Sequence, residues 1–76
     1  MNNINEIKAL MRYYLLMCNH DLSNHNYAAV DADGGLFVYD NEPRVDYRDN
    51  EWLDNDYQHI TMLEKCELWK DTLIKL

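Results

Sequence analysis

Glycine, proline and cysteine are scarce, at two, one and two in 76 residues. So few helix and strand breakers in a chain that is nearly half hydrophobic exclude a flexible linker or a disordered tract. The two cysteines, Cys18 and Cys66, are too few for a disulfide framework and suit a reducing cytoplasm. No apolar run approaches the roughly 20 residues that a membrane span needs. No basic stretch leads into an apolar core with a small-residue cleavage site, so no signal peptide is expected. Basic residues are also few: seven Lys and Arg face fourteen Asp and Glu, for a net charge of −7.

What the chain does have is bulk. Six Tyr, two Trp, one Phe and four Met offset the small core that one short domain, residues 1–76, can bury. The negative charge is also concentrated. Residues 21–57 hold ten acids against Arg44 and Arg48, a local net charge of −8, while the flanks are close to neutral. Such a segment repels a nucleic-acid backbone and attracts a basic protein surface.

Ile4, Ile7, Leu10, Met11, Tyr14, Leu15 and Cys18 recur at three-and-four spacing and predict a helix over Ile4–Cys18, widened by Tyr13 and Met17. Asn3 is placed to cap it, with Glu6 in capping-box position. Tyr27–Asp31 and Leu36–Asp40 are short runs of strand formers around Ala32-Asp33-Gly34-Gly35, a hairpin turn that tolerates positive φ. Pro43 stops the second strand. Residues 41–56 read as polar and irregular, Tyr57–Met62 as a third strand, and Cys66, Trp69, Leu73 and Leu76 as a second helix. The expected fold is α+β: a three-stranded antiparallel sheet with an N-terminal and a C-terminal helix packed on one face.

The hairpin from Tyr27 to Pro43 reads A-x-D-x-D-G-x-x-x-x-Y-x-x-x-P from Ala29 onward; Trp52 and Trp69-Lys70-Asp71-Thr72-Leu73 follow. Over residues 27–73 this resembles small phage and prophage accessory proteins. The resemblance implies a viral accessory role in the host bacterial cytoplasm and no particular chemistry.

No catalytic set emerges. Asp31, Asp33, Gly34 and Asp40 mimic part of a calcium loop, but Ala29 stands where the first ligand belongs and the flanks read as strands. Cys18, His20, His25, His59 and Cys66 lack zinc spacing, and both cysteines fall on apolar helical faces. Neither cysteine has a base fixed beside it in an electropositive setting. The sequence therefore predicts no enzyme, no metal and no cofactor. It also lacks a phosphate-binding glycine loop and a basic aromatic patch, so direct nucleic-acid binding is not expected.

The acidic middle is the remaining candidate. Asp46, Asp49, Glu51, Asp54 and Asp56, with Tyr47 and Trp52 as anchors, match the charged and aromatic make-up of an interface. The plain alternative is a solvated loop whose aromatics enter the core. The functional expectation is an inhibitor or modulator of a host protein with a basic surface, such as a bacterial defence complex of the CRISPR type. The acids would stand in for phosphates. Two other classes compete: a binder of a signalling nucleotide, and a homo-oligomeric structural accessory protein, for instance a homodimer, that pairs an exposed sheet edge.

Overall fold

In the computed structural model, which describes residues 3–76, Asn3 caps the first helix as its position requires. Its Oδ1 accepts from the N–H of Asn5 at 2.8 Å and of Glu6 at 3.4 Å. Helix α1 spans Ile4–Met17, one residue short of expectation. Ile7, Met11 and Leu15 form its buried stripe. The apolar face is narrower than the sequence suggests: Tyr13, Leu16 and Met17 are all exposed, Leu16 by 82%.

Strands β1 (Tyr27–Val30) and β2 (Gly35–Tyr39) make the expected hairpin, in register from Tyr27 opposite Tyr39 to Val30 opposite Leu36. Gly34 closes the turn by donating its N–H to the Asp31 carbonyl at 2.9 Å. It sits at φ +97°, and a Cβ there would lie 2.5 Å from the Leu63 carbonyl oxygen, so conformation and space both require glycine.

Residues 44–46 and 51–53 overturn the reading of 41–56 as irregular. They form strands β3 (Arg44–Asp46) and β4 (Glu51–Leu53), an antiparallel hairpin of its own. The four residues between them turn with Asn50 at φ 54°, which Asn tolerates. Three-residue strands are too short to leave a periodic signal. β5 (Tyr57–Met62) matches the expected third strand and pairs antiparallel with β2. Its register shifts between Leu36 and Phe37, a bulge that leaves Ile60 as the extra residue.

The expected C-terminal helix is absent, and the sheet has four strands instead of three. A single 3-10 turn, Trp69–Asp71, leads into strand β6 (Ile74–Lys75), which pairs with β1 and completes the order β5-β2-β1-β6. The open edge of β1 explains the change. Beyond the two β6 pairs, the buried Thr72 hydroxyl accepts from the Val30 N–H at 2.9 Å and donates to the Trp69 carbonyl at 2.7 Å. A helix over the same residues would leave that edge without these partners, and short helices are marginal by themselves.

Alternation along the strands fixes two faces. Ala28, Val30, Leu36 and Val38 share one and are fully buried. Ala29, Phe37 and Tyr39 share the other, continued by Tyr57 and His59 on β5. The second hairpin lies against this face through Trp52, which is only 8% exposed. The Trp52 indole N–H is shared between the carbonyls of Val30 and Trp69, 3.1 Å from each, and the two Trp rings meet edge to face at 6.2 Å.

Candidate functional site

The acids of the middle segment do not trail from a loose loop, because the second hairpin orders them. Asp46 and Glu51 are its last paired residues, with Asp49 in the turn. One carboxylate oxygen from each of the three lies within 4.8 Å of the others. Asp46 Oδ1 also accepts from the Arg48 N–H at 2.9 Å, which fixes the start of the turn. Three carboxylates so close repel one another and favour any approaching cation. Arg44 and Arg48 do not neutralise them: neither is in an ion pair with a carboxylate among the described residues. Tyr47 is 73% exposed, with Lys70 Nζ 5.3 Å from its ring centroid.

Three adjoining hollows run along β4. The first, about 360 Å³, lies between Glu42, Arg44, Leu53 and Asp54. The second, about 130 Å³, continues from Leu53 and Asp54 past Tyr57, Phe37 and Tyr39 to Glu51 and Asp31. The third, about 260 Å³, shares Asp31 and Glu51 and opens toward Asp33, Asp49 and Lys65. Together they form a groove lined by six acids.

Of the residues expected at an interface, Asp46, Tyr47 and Asp49 sit at the hairpin tip, and Glu51 and Asp54 line the groove. Asp56 is exposed but borders none of the three hollows; its carbonyl accepts from the Asp40 N–H. Trp52 is not a surface anchor, since its ring and N–H are committed to the core. Sequence reasoning missed Asp31, Phe37, Tyr39 and Tyr57 as groove residues, because Phe37, Tyr39 and Tyr57 come from the other sheet and Asp31 from the turn that follows β1. The one available signal was their i, i+2 spacing on paired strands.

Asp31 is the unusual member. It is 7% exposed, and its Oδ1 accepts from the Trp52 N–H at 2.8 Å. Burial raises its pKa from 3.8 to about 6; the Trp52 hydrogen bond opposes this, and the charges of Glu51 and Asp33 add to it. Tyr39 is held strongly neutral, first by burial and then by Asp31, Glu51 and Asp54. Buried groups displaced from their ordinary titration in a cleft are a recognised mark of functional sites.

The other candidate chemistries are not assembled among the described residues. In place of a calcium loop, Asp33 Oδ1 holds the Gly35 N–H and Asp31 holds Trp52, while Asp40 Oδ1 lies 2.6 Å from His25 Nδ1. The cysteines and histidines form no cluster with metal-ligand spacing; Cys18 donates to the Leu15 carbonyl and His20 meets Gln58. No helix among the described residues is long and apolar enough to cross a membrane.

No protein-family model, curated protein or solved structure matches this chain.

Proposed function

We propose that this chain is a non-enzymatic binding protein that sets its acidic groove against a basic, phosphate-binding surface of a partner protein. The carrying observation is the Asp46–Asp49–Glu51 cluster, three close carboxylates without an Arg or Lys ion pair among the described residues. Unneutralised like charge on a rigid hairpin disfavours the free state and is relieved by a cationic partner. The resemblance to small phage and prophage proteins supports a host protein as that partner, with a nucleic-acid-handling defence complex as the class whose surface fits. Tyr47 remains the exposed anchor.

The test is capture from host lysate by wild type and by a variant carrying Asp46→Asn and Asp49→Lys, at low and moderate salt, with and without competing DNA. The asparagine amide oxygen in that variant can still accept from the Arg48 N–H, so the turn is kept. Capture by wild type should weaken as salt rises and should be displaced by DNA, and the variant should lose it. A folded variant that captures the same protein as well as wild type does would refute the proposal.

A further inference from the structure

The central hollow of the groove differs from its neighbours in being walled by aromatic rings. Phe37 lies 6.3 Å from Tyr39 and 5.8 Å from Tyr57, centroid to centroid, and the two tyrosines are cross-strand neighbours. Asp31, Glu51 and Asp54 line the same space. Tyr39 supplies a second, independent observation. It is 2% exposed and lines this hollow, yet its hydroxyl has no hydrogen-bond partner among the described residues. The hydroxyl oxygen itself is reached through the hollow, so its lone pairs are free to accept from a ligand there.

The occupant follows from these groups. Aromatic faces and carboxylates together select an organic cation. The acceptors narrow the choice: a quaternary ammonium has no N–H to offer them, whereas a guanidinium offers five N–H groups in a plane that stacks on rings and bridges carboxylates. At about 130 Å³ the hollow is large enough; a cavity of about 150 Å³ admits benzene, and a guanidinium is smaller. We propose that this hollow is a guanidinium site, in which Glu51 and Asp54 accept the N–H groups, Tyr39 Oη accepts another, and the plane rests against the Tyr57 ring. The inference rests on the acidic-groove reading for the natural source of the group, an arginine of the basic partner. A free guanidinium compound would use the same chemistry.

The experiment is an NMR titration of the full chain with methylguanidinium, with N-methylurea as the neutral isostere. Methylguanidinium should shift the ring signals of Phe37, Tyr39 and Tyr57 saturably, and N-methylurea should not. Tyr39→Phe keeps the ring and the fold but should bind about tenfold more weakly, as expected for a lost hydrogen bond to a charged group. Glu51→Gln should weaken binding similarly. A blocked Gly-Arg-Gly peptide separates the sources: binding at least as tight as methylguanidinium assigns a protein side chain, and exclusion assigns a free compound. Absent or non-saturable shifts, or equal shifts with N-methylurea, overturn the site, as does full binding by both variants. The Asp46→Asn, Asp49→Lys variant, altered outside this hollow, keeps the two proposals apart. If it loses partner capture while wild type ignores methylguanidinium, only the guanidinium site fails. If it captures normally while wild type binds methylguanidinium, only the acidic-groove reading fails.

Discussion

Replacing Asp31 with Asn should stabilise the protein at neutral pH, although it removes a buried hydrogen-bonding carboxylate. The folded pKa of Asp31, about 6, lies above its ordinary 3.8. A group shifted in this direction contributes stability that is fully present below 3.8 and is lost as pH rises through about 6. At pH 7 the ionised carboxylate therefore costs at most about 3 kcal/mol relative to its unfolded state. Asn removes that charge, and its Oδ1 can still accept from the Trp52 N–H. Its new amide N–H₂ needs partners in a site that is 7% exposed, which returns about 1–2 kcal/mol. The net gain is about 1–2 kcal/mol, or roughly 5–15 °C in Tm for a domain of this size. Thermal and urea unfolding of both proteins from pH 4 to 8 provides the assay. The difference between them should be largest at pH 7–8 and shrink or reverse toward pH 4, where Asp31 is protonated. Other carboxylates, including Asp21 with its lowered pKa, are common to both proteins and cancel. An Asn variant less stable than wild type at pH 7 would refute the reasoning, since the carboxylate would then be stabilising as an anion.

Further outcomes follow from the packing. Trp69→Ala should destabilise by about 3–5 kcal/mol and remove the edge-to-face contact with Trp52, seen as loss of cooperative unfolding by tryptophan fluorescence. Thr72→Val should cost about 1–3 kcal/mol, because it leaves the buried Val30 N–H without an acceptor, and hydrogen exchange at Val30 should accelerate. Gly34→Ala should cost at least about 1–3 kcal/mol in urea unfolding, from its positive φ and the approach of the Leu63 carbonyl. Asp49→Lys alone should stay within about 0.5 kcal/mol of wild type, being exposed at the hairpin tip.

The elements with local causes were legible in the sequence. Helix α1 follows from Asn3 and the Ile7–Met11–Leu15 spacing, the first hairpin from Gly34 and its flanking strand formers, and β5 from Tyr57–Met62. The concentration of negative charge in residues 21–57 was legible as well. The tertiary structure alone decided the rest, because non-local partners determined it. The open edge of β1 drew residues 72–75 out of a helical pattern and into Thr72 hydrogen bonds and strand β6. The carbonyls of Val30 and Trp69 drew Trp52 from the acidic surface into the core. That move set β4 against the first hairpin, buried Asp31 beneath the Trp52 N–H and placed Tyr39 beside Glu51 and Asp54. Asp31 and Trp52 are 21 residues apart, and their meeting depends on which face of the sheet the second hairpin covers. Hydrophobic periodicity reports that a face is buried, but it carries no information on what buries it.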